Sequence, residues 1–420
     1  MAACSIRWLS TDTECPPGTR ERAGRVEHMM ELTALLRSGR FRGWLYQTAV
    51  VSVACLILIS FVVTARHNLV AQGITTGFDF LQRSTGWDIP FALISYTIND
   101  PYWRVFLIGF ANTIFVGTLG LIFATLFGTF IGIARVARNP LLNALGTVYV
   151  EIFRNVPLIL QGLLWYAILT RLPSPRQAIS IWDSIFITNR GLYIPFVAMS
   201  HGTFLFIASV FVLAGFAIAL LPRLAGIGTS RSGFRRLVRT ALLTAAAIAV
   251  AAVIGARDPQ AGLITIPMLK GLRFEGGLRV TPEFTALFVA IVCFGSAYVA
   301  EIVRGGLLSV NRGQLEAAGA LGLRPFHVYW YVRIPLALRA IVPPMGNQFV
   351  WLMKATTIGI AFGFSDLFMI TSTAINQSGQ TIEILFIMMS GFLLINYVIS
   401  TAMNALNRSI ALKGYETKGT

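Results

Sequence analysis

Three small constellations in this sequence carry groups able to do chemistry. Glu151 and Arg154 stand three residues apart, and so do Glu301 and Arg304. On a helix that spacing puts carboxylate and guanidinium on one face, where they can form an ion pair. Lys354 is followed by Thr356 and Thr357. An ammonium beside two hydroxyls supplies donors that suit a carboxylate ligand. None of these is a catalytic set. The sequence has no G-x-x-x-x-G-K-[ST], no H-E-x-x-H, no G-x-S-x-G and no Cys/His cluster at metal spacing. It therefore offers neither a P-loop for nucleotide nor a recognisable metal or nucleophile site. Binding and ion pairing are the available chemistry, and no cofactor or metal is expected on this chain.

The elements that must position these groups follow from composition. Of 420 residues, 55% are hydrophobic and only 12% charged, with mean hydropathy +0.69. A soluble chain carries roughly 25% charged residues. Half that charge cannot coat a water-soluble protein of this length, so soluble enzyme, disordered chain and fibre are excluded in favour of a polytopic membrane protein. The net charge of +16 does not mark nucleic acid, because most basic residues lie between long apolar runs. No nucleic-acid partner is expected; membrane lipid is.

About 20 apolar residues cross a bilayer as a helix. Eight runs qualify: 44–65, 105–134, 147–170, 194–221, 237–256, 282–304, 341–363 and 381–406. The shortest, 237–256, is Ala-rich. Placing the N-terminus inside gives 22 Lys and Arg in the cytoplasmic segments and 10 in the outer ones. That bias follows the positive-inside rule and predicts both termini in the cytoplasm. The expected order is a cytoplasmic tail (1–43), a first span and outer loop (44–104), a transmembrane domain (105–406) and a cytoplasmic tail (407–420). Residues 1–28 read as a disordered tail. Gly77-Phe78-Asp79-Phe80 and Phe274-Glu275-Gly276-Gly277 predict short extended turns in the outer loops. Cys4, Cys15, Cys55 and Cys293 make no disulfide framework.

The cytoplasmic loop 304–340 is the most informative segment. It runs Gly313-Gln314-Leu315-Glu316-Ala317-Ala318-Gly319-Ala320-Leu321-Gly322-Leu323 and later Val332-Arg333-Ile334-Pro335. Glu316 to Leu321 favour helix, Gly322 is a natural stop and Pro325 blocks continuation. A short helix, a sharp turn and a second amphipathic stretch are expected.

This loop resembles the EAA loop of ABC-importer permeases: E-A-A, three residues, G, nine residues, then I-x-L-P. The match runs through Glu316, Ala317, Ala318 and Gly322, with Val332, Ile334 and Pro335 closing it. Three further stretches are similar to the polar amino-acid (histidine/glutamate/glutamine) branch: Ala297 to Gly306, Glu151 to Pro157 with Gln161, and Lys354 to Thr357 with Asp366-Leu367. Asn376 to Gln380 and Gly276 to Phe284 are similar to its general L-amino-acid subgroup. Ile358-Gly359 departs from the Ser-Leu pair common there.

The resemblance implies an all-α, MetI-like type I importer permease of about eight spans. Two of them would be extra, inserted with an outer loop within about 171–281. It implies a multi-pass subunit of the bacterial inner membrane that moves polar or general L-amino acids by alternating access. The partners would be a cytosolic ABC ATPase, which uses the ATP, a second and different permease chain, and a periplasmic amino-acid-binding protein. Gly313, Glu316, Ala317, Ala318, Gly322 and Pro335 would couple to the ATPase. Glu301 and Arg304 would steady the hinge leading into the loop, or serve as an interfacial anchor. Glu151 and Arg154 stand open between a packed ion pair and lining of the pathway near its inner gate. Lys354, with Thr356 and Thr357, stands open between substrate contact and pairing with Asp366 or Glu301. The rival reading is a secondary amino-acid transporter driven by an ion gradient. Such carriers tend to show repeats and an ion site at midplane; neither a repeat nor paired acids is visible.

Overall fold

The computed structural model describes residues 39–71, 77–197, 264–271 and 273–410, together with residues 210, 240, 243–248 and 251. The tail 1–28, His201 and most of the runs 194–221 and 237–256 lie outside the described residues. The chain divides into two units, Met1–Thr76 and Gly77–Thr420. The described part of the first is one helix, α1 (Gly39–Ala71), whose stretch Gly43–Thr64 is long and apolar enough to cross a membrane and exposes its apolar side chains within the unit. A helix apolar on all sides suits a lipid surround.

The second unit is organised around two long helices, α2 (Tyr102–Ala134) and α5 (Pro282–Leu308). At 33 residues, α2 is about 50 Å long. Thr281 caps α5 by accepting the Phe284 N–H, with Pro282 at its first turn. The two pack through small residues four apart on α2: Gly120, Ala124, Gly128 and Gly132. A Cβ on Gly120 would sit 2.6 Å from Ile291 Cγ2, and one on Gly132 2.7 Å from the Ala300 carbonyl oxygen. In lipid there is little hydrophobic drive between helices, so this close approach of backbones is what gains dispersion contact.

Two of the expected spans are not single straight helices. The run 147–170 is α3 (Pro140–Asn155) and α4 (Leu158–Thr170), meeting at 100°. Pro157 has no N–H to give Phe153, and it forces Val156 into extended backbone (φ −86°, ψ 124°). Hydropathy does not register either effect. Gln161 repairs the break: its Nε2 donates to the carbonyls of Phe153 and Val156, both at 2.9 Å. Gln161→Leu should therefore strand both acceptors and cost about 2–4 kcal/mol. The measurement is thermal unfolding of the purified subunit, with a melting point several degrees lower; an unchanged one would mean the carbonyls find other donors.

The run 341–363 likewise divides. Ahead of it, a helical turn (Pro325–His327) and a π-helical turn (Val328–Arg333) lead into α7 (Ile334–Ala355). A 3-10 stretch, Thr356–Phe362, ends in left-handed Gly363 (φ 86°), and the chain turns by 51° into α8 (Leu367–Ser378). Asp366 caps α8, accepting the Met369 N–H at 2.8 Å. A polar joint locks this elbow to α2. Asn112 Nδ2 donates to the carbonyls of Phe91 and Ser365, and Thr113 Oγ1 accepts the Leu367 N–H. The helix α9 (Thr381–Ile410) closes the unit. Among the described residues, four helices are long and apolar enough to span a membrane, or six counting each bent pair as one.

The mostly helical class holds, with an addition. Strands β1 (Ile179–Ile181), β2 (Ile185–Thr188), β3 (Gly191–Ile194) and β8 (Leu278–Val280) form an antiparallel sheet in that order. Between them, β4 (Phe196–Val197) pairs β5 (Ile264–Thr265), and β6 (Met268–Lys270) pairs β7 (Arg273–Glu275). Phe274 and Glu275 are thus extended as expected. The Gly77–Phe80 motif is not: Asp79–Gln82 is a 3-10 turn, because Phe80 is drawn into a cluster with Tyr102 and Phe106. Nearby Tyr96 donates to the Trp87 carbonyl and bonds Thr85; burial pushes its phenol above the usual range.

Candidate functional site

The loop after α5 forms a short helix, α6 (Arg312–Ala320). Asn311 starts it by accepting the Gly313 N–H at 2.9 Å. Its end is a Schellman motif. Gly322 is left-handed (φ 82°), its N–H donates to Gly319 O, and the Leu323 N–H reaches back to Ala318 O. Glu316 and Ala317 are exposed, while Ala318 is buried. Pro325 opens the next turn directly.

The helix is braced from behind. Leu315 and Gly319 of α6 face Pro325, Val328, Tyr329 and Arg333 across a groove of about 240 Å³. Arg333 lies over the Tyr329 ring and donates from Nε and Nη2 to Leu307 O, at the end of α5. Half-buried Pro335 stands at the start of α7. Gly313, Glu316, Ala317 and Ala318 thus lie on one short rod, capped at its start by the Asn311 side chain and closed just beyond its end by Gly322.

One turn into the membrane-spanning part of α5 sits a charged cluster. Glu301 accepts from Arg304 Nη2 at 2.6 Å, as the three-residue spacing implies. It also takes Arg135, from the end of α2, in a short ion pair, and Arg154 of α3 stands 3.9 Å from the same carboxylate oxygen. The expected Glu151–Arg154 pair is not formed. Arg154 lies over the Tyr298 ring at 5.5 Å, and Glu151 accepts from Asn155. Three guanidiniums around one carboxylate tie α2, α3 and α5 together at one level. Arg135 reads in the sequence as loop charge just past a span, and nothing local announces its partner 166 residues away.

Lys354 meets neither Asp366 nor Glu301, and among the described residues its ammonium has no ion-pair partner. It is exposed on α7, as is Trp351 one turn before it, which stacks on Phe294. The Thr356 and Thr357 hydroxyls donate to their own helix, to Met353 O and Lys354 O. Asp366 is fully buried. An exposed ammonium and the partly exposed Arg154 cannot rest in hydrocarbon at modest cost, about 2.5–3.5 kcal/mol each at a helix centre. This face needs water or another protein against it.

Residues 274–412, which contain α5 to α9, match the family described as "Binding-protein-dependent transport system inner membrane component". Three relatives extend the likeness to most of the chain. YhdX of Escherichia coli, provisionally named an amino-acid ABC transporter permease, is 40% identical over 88% of this chain and 94% of its own. The general L-amino acid transport system permease AapQ of Rhizobium johnstonii is 36% identical, over 89% and 93%. The glutamate/glutamine/aspartate/asparagine transport system permease BztB of Rhodobacter capsulatus is 34% identical, over 91% and 96%. This chain is an amino-acid ABC transporter permease. As such it is a multi-pass transport subunit and not an enzyme. Broken helices occur in ion-driven carriers too, so the bends at Pro157 and Gly363 do not separate the classes; the relatives do, and none supports an ion-gradient carrier. The permease family accounts for the α6 rod.

Proposed function

We propose that this permease carries polar or general L-amino acids across a bacterial inner membrane, together with a second, different permease chain. A cytosolic ATPase grips α6, and a periplasmic amino-acid-binding protein delivers substrate on the other side. ATP belongs to the ATPase. Both termini, the loop 304–340 and the end of α5 face the cytoplasm; the sheet around β3 faces outward. The substrate class is supported by the names of AapQ and BztB, and the orientation by the 22-to-10 distribution of Lys and Arg.

The observation that carries the coupling role is the rigid α6 rod, closed by Gly322 with Glu316 exposed on it. A rod fixed at both ends transmits displacement, whereas a flexible loop would absorb it. Closure of the ATPases moves α6 with them and biases the permease between inward and outward states. Glu301, held by Arg135, Arg154 and Arg304, keeps the inner ends of α2, α3 and α5 moving as one body. Arg154 and Lys354 line the pathway, with Glu151 and Thr357 beside them; Thr356, fully buried toward α2, supports the helix behind Lys354 instead of lining the pathway.

Lys354→Met tests the pathway assignment. Loss of a charge-assisted contact to a substrate carboxylate should lower uptake about tenfold or more, through KM, with ATPase binding unaffected. Labelled amino-acid uptake in proteoliposomes reads this directly. Unchanged uptake would remove Lys354 from the pathway.

A further inference from the structure

The turn that follows the coupling rod has two opposite faces. Pro325, Val328, Tyr329 and Arg333 point at α6 and line the groove. The other side carries two parallel aromatic stacks, each one helical turn apart. Phe326 stacks on Trp330 (6.3 Å, 7°) and His327 on Tyr331 (5.7 Å, 4°). Phe326, Trp330 and Tyr331 are 71%, 56% and 66% exposed. None of these rings lines the groove, so a motor holding α6 does not cover them from that side. They precede the apolar helix α7 by only a few residues, about 5 Å of rise from Tyr331 to Ile334. That places amphipathic rings at the depth of lipid headgroups, where Trp and Tyr are favoured. The charge agrees. From Ala317 through the turn to Ile334 the sequence has no Asp or Glu, and Arg324 is exposed at the head of the turn.

We propose that Phe326, His327, Trp330 and Tyr331 form an inner-leaflet anchor that rests on anionic phospholipid. Arg324, exposed at the head of the turn, supplies attraction to the headgroups. The anchor sets the fulcrum of the rod: one face of the turn braces α6 while the other holds the membrane surface. The proposal rests on α6 being the coupling helix, but its test does not depend on transport.

The experiment uses the whole complex, both permease chains and the ATPase, in lipid nanodiscs. Subtracting the tryptophan emission of a Trp330→Phe complex from wild type isolates Trp330. Phosphatidylglycerol brominated near the glycerol backbone should quench that difference signal, and aqueous acrylamide should leave it largely intact, with or without the ATPase. Quenching by acrylamide but not by brominated lipid would overturn the proposal. So would a Trp330 that opens to acrylamide only when the ATPase is removed, which would assign the rings to the motor. Arg324→Gln should weaken the preference for anionic over neutral lipid about fivefold; an unchanged preference would overturn the anionic part.

Discussion

Replacing Gly322 with proline should abolish ATP-coupled uptake while the permease still reaches the membrane. Gly322 holds φ 82° and gives its N–H to Gly319 O. Proline is fixed near φ −65° and has no N–H, so both halves of the Schellman closure fail. A loss of about 3 kcal/mol or more at this turn corresponds to a fall of roughly 100-fold or more. Alanine separates strain from crowding. A Cβ at 322 meets nothing within 4 Å, so Gly322→Ala should cost only left-handed strain, about 1–2 kcal/mol, and lower uptake by about tenfold. Proteoliposome uptake beside ATPase pull-down reads both. Normal uptake by Gly322→Pro would show that α6 need not be rigid to couple.

Gly128→Leu should prevent assembly of the subunit altogether. A Cβ there would lie 2.5 Å from Val299 Cβ and 2.7 Å from the Ser296 carbonyl oxygen. The second contact is backbone, which cannot rotate away, so α2 and α5 must separate along their length. Their separation also unseats Glu301 from Arg135. Overpacking of this kind typically costs 1–3 kcal/mol in a core that can adjust; here the adjustment is a displaced helix. Size-exclusion profiles and protease resistance of the detergent-solubilised complex should show no folded species. Gly128→Ala should leave a reduced but detectable folded fraction. Full recovery of Gly128→Leu protein would mean the two helices do not pack in this register.

Much of this arrangement could be read before any coordinates. The runs 105–134, 282–304 and 381–406 became α2, α5 and α9 because long uncharged stretches have one cheap solution in lipid. The Gly322 stop and the Pro325 restart lie where local backbone chemistry puts them. The breaks at Pro157 and Gly363 were less legible. Hydropathy averages over them, and the repair by Gln161 and the cap by Asp366 depend on chain geometry. The four-residue spacing of Gly120, Ala124, Gly128 and Gly132 is visible as a stripe of small residues, though not the helix it meets. The Glu301 cluster was half legible: Arg304 is three residues away, but Arg135 and Arg154 arrive from other helices, and Arg154 goes to Glu301 instead of to Glu151, its neighbour in sequence.

The short ladder between β4 and β5 has a consequence for chain entropy. Phe196 faces Thr265 and Val197 faces Ile264, so the chain departs and comes home at a single doorway. The two ends of the passage 198–263 are thus neighbours, and the loop-closure cost of that long excursion is met by a single two-residue pairing.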